Sequence, residues 1–181
     1  FELVQGLKAE VAIAPVGNSA GSSGVVFRRV GLYGAVDADV AAGNPTSAAT
    51  CQVSEVQFMN CNFIGGTVGF VTLAAGNVKN FLFVGGKFST HAVHIDWTRA
   101  SGTMNVSGVT LGNSTVSDFK TGTGNLHLES IESETTSMFV SGFTGSNAGT
   151  LTILNSSWQG AAAALDDVII QYQGQMSLIG N

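Results

Sequence analysis

The sequence predicts an all-β fold, a parallel β-helix (solenoid) of about eight stacked rungs that occupies residues 1–181 as a single domain. Three observations predict it. A pattern repeats about every 22–25 residues, each copy opens with alternating apolar residues, and a small or amide residue usually follows them. Each copy is expected to form one rung. Almost no α-helix is expected beyond one possible helical turn from Ala161 to Asp167.

Alternating apolar residues in each copy predict a short strand with one row of side chains on a single face. The copies start at Phe1, Val25, Val56, Phe81, Met104, Leu126, Leu151 and Met176. Successive starts lie 22 to 25 residues apart, apart from one interval of 31 residues. The extra residues of that interval are expected to form a surface loop between Asp37 and Thr50. The apolar rows of all the strands are expected to stack into one dry core, and most rungs are expected to contain a second strand.

The fifth place of the repeat predicts a tight corner after each strand. Gly and Asn tolerate the left-handed backbone angles of such a corner best. Residues of this kind occupy the fifth place in most copies, at Asn60, Gly85, Gly108, Asn155 and Gly180. Because Gln5 and Arg29 are not of this kind, the first two turns are expected to form their corners differently.

Composition limits the partners that the chain can have. Charged residues make up 10% of the sequence, and its net charge is −5. The seven basic residues are scattered, which argues against nucleic acid as a partner. No apolar window approaches the length of a membrane span, so membrane insertion is not expected either. The chain begins with Phe1 instead of Met, and we expect it to be a segment of a longer protein.

With this repeat, the chain resembles the right-handed parallel β-helices of the pectin-lyase-like superfamily, most of all bacteriophage tailspike and tail fibre proteins. The resemblance covers the whole chain but concerns its architecture alone. It implies a right-handed solenoid in a virion tail, outside the cell, that contacts host cell-surface polysaccharide. Two alternatives stay open. One is a polysaccharide-degrading enzyme of the same fold, a glycosidase or lyase, and the other is a bacterial adhesin or structural repeat.

Asp96 and Asp118 are the candidate catalytic acids. They lie 22 residues apart, and aligning Phe119 with Trp97 places both carboxylates on neighbouring rungs. Neighbouring rungs are ~4.8 Å apart, and carboxylates at about 5 Å suit a retaining glycosidase. The alternative is a pair of solvated surface acids.

Three further residues are candidates for carbohydrate binding. Trp97 offers a flat apolar ring that could stack on a sugar, and His127 is expected to point outward from its rung. Glu129 belongs to an acidic patch with Glu132 and Glu134. The alternative for that patch is a solvated face, which is the usual role of a run of like charges.

Neither a metal nor a cofactor is predicted. His91, His94 and Asp96 lie close in sequence, but two histidines three residues apart on a strand should point to opposite faces. Asp37 and Asp39 form only a weak signal for a hard cation.

A homotrimer is expected from an apolar strip on the outer face of the strands. The fourth place of the repeat should face outward, yet it is apolar in several copies, at Val4, Met59, Val84, Leu154 and Ile179. Val26 and Leu82 extend this strip. A contiguous apolar strip on a solvated sheet indicates a partner surface.

Overall fold

The computed structural model describes residues 11–13, 21–34, 36–43, 52–73, 77–134, 137–142, 149–159 and 170–181. In this part of the chain every regular element is a β-strand and every strand pairing is parallel. The protein is therefore an all-β parallel solenoid, which confirms the predicted fold class. Among these residues there is no helix long and apolar enough to cross a membrane.

Most described strands have two to five residues, and two of them have 13. In chain order they are β1 (Val11–Ile13), β2 (Gly21–Ser23), β3 (Val26–Arg28), β4 (Gly31–Tyr33), β5 (Ala38–Ala42), β6 (Gln52–Ile64), β7 (Val68–Thr72), β8 (Asn77–Ser89), β9 (Val93–Trp97), β10 (Thr103–Ser107), β11 (Thr110–Gly112), β12 (Ser117–Thr121), β13 (Asn125–Glu129), β14 (Glu132–Ser133), β15 (Met138–Ser141), β16 (Thr150–Leu154), β17 (Ser157–Trp158), β18 (Ile170–Gln171) and β19 (Gln175–Ile179). They form two stacks. The first sheet has the order β1-β5-β7-β9-β12-β15-β18, and the second sheet contains the other strands.

The register of the second sheet follows the sequence repeat. Phe58 pairs with Phe83, Phe83 with Val106, and each later copy pairs with the next in the same way. About four consecutive turns, from β6 to β16, are described almost throughout, which is fewer than the eight rungs expected. The first copy at Phe1, residues 44–50 of the expected loop and the expected helical turn at Ala161 lie outside the described residues. The first part of that expected loop, Ala38–Ala42, is instead strand β5 of the first sheet.

Stacked aromatic rings fill one part of the core. Phe27, Phe58 and Phe83 form one column with centroid distances of 4.8 and 4.7 Å, and Phe63 stacks on Phe88 at 4.5 Å. Further along, the same core consists of aliphatic residues such as Val106, Leu128 and Ile153. The prediction of one continuous core is therefore confirmed as far as β16, whereas Met176 and Leu178 of the last copy are 48% and 47% exposed.

Every described fifth-place residue has a left-handed backbone. The φ values are 53° for Arg29, 54° for Asn60, 65° for Gly85, 62° for Gly108, 53° for Ser130, 47° for Asn155 and 67° for Gly180. The expectation that Arg29 forms a different corner is wrong. The cause is hydrogen bonding between turns, because the Arg29 amide donates to the Met59 carbonyl at 3.0 Å, as the Gly108 amide does to Glu129 at 3.0 Å.

We expect Arg29→Gly to raise the free energy of unfolding. A left-handed residue with a Cβ costs about 1–2 kcal/mol, and part of that gain is lost to the greater chain entropy of glycine, about 0.5–1 kcal/mol. The net stabilisation should be about 0.5–1 kcal/mol in urea denaturation. The matched control is Arg28→Gly, one residue earlier in β3, which should destabilise the protein. Equal losses in both variants would show that the corner at Arg29 carries no strain.

Candidate functional site

One place in the first sheet departs from regular strand geometry. Ala38 pairs with Val68 and Val40 with Phe70, but the residues between them, Asp39 and Gly69, are not paired. The same gap recurs in the later strands of this sheet at His94, Asp118 and Phe139. Here the strands lose the regular alternation of inward and outward side chains. The side chain at this place is buried, and so is the side chain of the residue that follows it. Acidic and imidazole groups thereby enter the interior.

Asp39, His91, His94 and Asp118 form a continuous polar chain, which we call the buried Asp-His chain. Oδ2 of Asp39 lies 2.8 Å from Nε2 of His91, and Nδ1 of His91 lies 3.0 Å from Nδ1 of His94. Nε2 of His94 lies 3.4 Å from Oδ1 of Asp118. The hydroxyl of Ser133 donates to the other Asp118 oxygen at 2.6 Å. All four members are at most 1% exposed, so no solute reaches them from the surface.

Gly69 makes room for this chain. Asp39 lies in β5 and His94 in β9, and β7 runs between them in the stack. At the equivalent place β7 has Gly69, where a Cβ would lie 2.6 Å from the ring of Phe88 and 2.7 Å from the His94 carbonyl oxygen. Asp39 and His91 lie 2.8 Å apart across this turn.

Burial acts in opposite directions on the two inner members of the chain. It lowers the pKa of His94 to about 3, an effect to which a positive charge on His91 adds and which the backbone carbonyl of Gly112 opposes. It raises the pKa of Asp118 to about 7, although hydrogen bonds from Ser133 and Ser114 oppose the shift. At neutral pH His94 is therefore uncharged, and Asp118 is close to half protonated.

The expected stacking of Asp96 on Asp118 is wrong. Phe119 pairs with Ile95 instead of Trp97, and this register places Lys120 beside Asp96. Asp96 is half-buried, and its Oδ1 accepts hydrogen bonds from the Thr98 amide at 3.1 Å and the Thr98 hydroxyl at 2.6 Å. Asp118 points into the core, so the two carboxylates belong to different environments.

The expectation that His91 and His94 face apart is also wrong. His91 precedes β9, and His94 occupies the interrupted place of that strand, so the simple alternation of a strand does not apply to them. The described part of the chain contains no cluster of three or more acidic, imidazole or thiol groups placed to hold a metal. Of the two acids weighed for a cation, Asp37 is exposed, and Asp39 is bound to His91.

Trp97 is a core residue. It is fully buried, and its ring lies 5.7 Å from Phe81 and 6.4 Å from Phe70. It lies in the inward row of β9, where Trp97 pairs with Thr121. Stacking on a sugar, as expected from the sequence, would require this ring at the surface.

His127 and Glu129 lie on the outer face of the second sheet, and both are half-buried. In the stack, Asn105 and Thr152 lie on either side of His127. This outer row carries one side chain per turn, in the order Val26, Gln57, Leu82, Asn105, His127, Thr152 and Ser177. It is thus largely polar with little charge.

The expected apolar strip is interrupted. Met59 pairs with Val84, and Leu154 pairs with Ile179, but Ser107 and Glu129 stand between these two pairs in the same row. The strip is therefore two short apolar patches separated by a polar and an acidic side chain.

A shallow groove opens on the same outer face. It has a volume of about 230 Å³ and is lined by Glu55, Gln57, Asn80, Phe81, Leu82 and Asn105. The amide of Asn80 donates to Oε1 of Glu55 at 2.8 Å. Sequence reasoning missed this groove, although one signal was available, since Glu55 and Asn80 each directly precede the apolar start of a repeat copy.

Comparison of the chain with protein-family models, curated proteins and solved structures finds no match.

Proposed function

We propose that the outer face of the second sheet binds polysaccharide, with the groove as its principal subsite. The observation that carries this proposal is the composition of the groove. Glu55 contributes a carboxylate, while Gln57, Asn80 and Asn105 contribute amides. The amides both donate and accept hydrogen bonds, as sugar hydroxyls do, and the carboxylate accepts them. Leu82 adds an apolar surface for the C–H face of a sugar ring.

The repeat extends this chemistry along the solenoid. Neighbouring strands lie ~4.8 Å apart, so a polymer lying parallel to the axis meets a new outer side chain at each turn. Beyond Asn105 these side chains are His127, Thr152 and Ser177. Glu129 and His127 would give the outer face its contacts to charged sugar substituents.

Binding is favoured over cleavage. In the described part of the chain, no two carboxylates face each other in the register of neighbouring strands. The pairing that suggested a glycosidase, Asp96 with Asp118, is replaced by Asp96 with Lys120. A polysaccharide-degrading enzyme is therefore the weaker proposal.

A role in a bacteriophage tail stays a prediction based on the architectural resemblance. The homotrimer also stays a prediction, although Ser107 and Glu129 interrupt the apolar strip from which it was expected. A trimer with parallel axes would bring three copies of Glu129 to the same level. Since like charges repel, such a trimer would have to turn this part of the outer face away from its axis.

We expect Gln57→Ala combined with Asn105→Ala to weaken polysaccharide binding at least about tenfold. Each lost hydrogen bond removes about 1 kcal/mol, and 1.4 kcal/mol corresponds to a factor of about ten. Calorimetric titration of the protein with a panel of bacterial capsular and O-antigen polysaccharides measures the effect. Sizing of the polysaccharide after incubation separates binding from cleavage.

Ser141→Ala provides the control, because Ser141 is half-buried at the end of β15 in the first sheet. It should bind as the parent does. The proposal fails if the parent binds no polysaccharide of the panel, or if the double variant binds as tightly as the parent.

A further inference from the structure

Hydrogen counting shows that the buried Asp-His chain is one proton short in its ordinary charge state. A neutral imidazole carries one N–H and one lone pair, and a carboxylate only accepts. The chain contains three contacts, Asp39 to His91, His91 to His94 and His94 to Asp118. Two neutral imidazoles supply the hydrogens of the first two contacts, and at the third contact neither Nε2 of His94 nor Oδ1 of Asp118 has a hydrogen-bond partner. Without a third hydrogen, two lone pairs face each other at one of the contacts.

We infer that the buried Asp-His chain is a proton-binding site, which takes up one proton beyond those of its two imidazoles and holds it between Asp118 and His94. All three hydrogen bonds are then donated in the same direction, from Asp118 toward Asp39. The Asp118 hydroxyl donates to Nε2 of His94, Nδ1–H of His94 donates to Nδ1 of His91, and Nε2–H of His91 donates to Asp39. One negative charge remains, on Asp39.

The groups around Asp118 fit this arrangement. Ser133 donates to Oδ2 of Asp118, which leaves Oδ1 to carry the proton toward His94. Ser114 is the other hydrogen-bond partner of Asp118, and the carbonyl of Gly112 lies near His94. The ring of Phe88 closes the site beside both imidazoles, at 6.3 and 6.1 Å. The raised pKa of Asp118 and the lowered pKa of His94 also place the proton on the carboxyl.

Loss of this proton weakens the contact between β9 and β12. The pKa of Asp118 rises from 3.8 to about 7 on folding, so its contribution to stability is complete below about 4 and is lost as the pH rises through 7. His94 acts in the opposite sense. Its pKa falls from 6.5 to about 3, so its contribution is complete above about 6.5 and is lost as the pH falls. The two trends oppose each other in the parent protein between about pH 4 and 6.5.

The variant Asp118→Asn separates the contribution of Asp118 to the pH dependence of stability from that of His94. The asparagine amide can donate to Nε2 of His94 while its oxygen accepts from Ser133, so the chain closes without the extra proton. Relative to the parent, we expect the ratio of folded to unfolded protein to rise up to about a thousandfold at pH 8, with little difference at pH 4. Urea denaturation of both proteins across this pH range measures the ratio. Asp96→Asn, outside the chain, should show no such pH-dependent gain.

The inference is overturned if Asp118→Asn is less stable than the parent at pH 8, because Asp118 would then act as an ionised partner of a charged His94. A second measurement needs no variant. Infrared spectra of the parent labelled with ¹³C-aspartate should show a protonated carboxyl at pH 6 that disappears by pH 9. Absence of that band at pH 6 would equally reject the site.

Discussion

Replacing Phe83 by alanine is expected to lower the free energy of unfolding by about 3–5 kcal/mol. The ring of Phe83 is fully surrounded in the core. It stacks on Phe58 at 4.7 Å and contacts Phe70 at 5.3 Å and Phe88 at 5.6 Å. Since these rings are held by strands of two successive turns, they cannot close over the cavity. Urea denaturation followed by circular dichroism measures the loss.

The control for this variant is Leu82→Ala, one residue earlier on the outer face of β8. Leu82 is half-buried, so its truncation should cost at most about 1 kcal/mol. Similar losses in the two variants would contradict the assignment of Phe83 to the core column and Leu82 to the surface.

Gly86→Ala is expected to destabilise the protein by about 2–5 kcal/mol. Gly86 has φ of 88°, and a Cβ there would lie 2.0 Å from the carbonyl oxygen and 2.8 Å from the amide nitrogen of Cys61. The left-handed backbone costs about 1–2 kcal/mol, and forcing apart two paired turns adds about 1–3 kcal/mol. Both obstructing atoms are backbone, so no side-chain movement relieves the contact.

Gly108→Ala isolates the backbone part of this effect. Gly108 has φ of 62°, but no atom lies within 4 Å of the place where its Cβ would be. The free energy of unfolding of this variant should fall only by the cost of the left-handed conformation, about 1–2 kcal/mol. If thermal or urea denaturation gives equal losses for the two variants, the close approach of Gly86 to Cys61 does not contribute.

The fold could be predicted because its determinants are local in the sequence. Alternating apolar residues define each strand, and the spacing of copies such as Phe58 and Phe83 matches the register between turns. The corner at Arg29 could not be predicted in the same way. Its conformation follows from a hydrogen bond to Met59 of the next turn, and the residue type gives no sign of that bond.

The candidate site was predicted less well, because the two sheets do not share one spacing. Met104 pairs with Leu126, 22 positions later, whereas Ile95 pairs with Phe119, 24 positions later. Applying the first spacing to Asp96 displaced the alignment by two residues. The buried Asp-His chain did leave a sequence signal, since Asp39, His94 and Asp118 each directly precede a core residue of a stacked strand.

The contact between Asp39 and His91 has a consequence for how the solenoid unfolds. In a stack of turns the energetics are close to one-dimensional, with each unit coupled to its nearest neighbours, so fraying can stop at any weak junction. Asp39 and His91 instead join units that are next-nearest neighbours, across the turn that contains Gly69. Loss of the strand pairing on either side of that turn then disturbs the hydrogen bond between Asp39 and His91. The three turns are thereby tied into one cooperative block, longer than strand pairing alone would define.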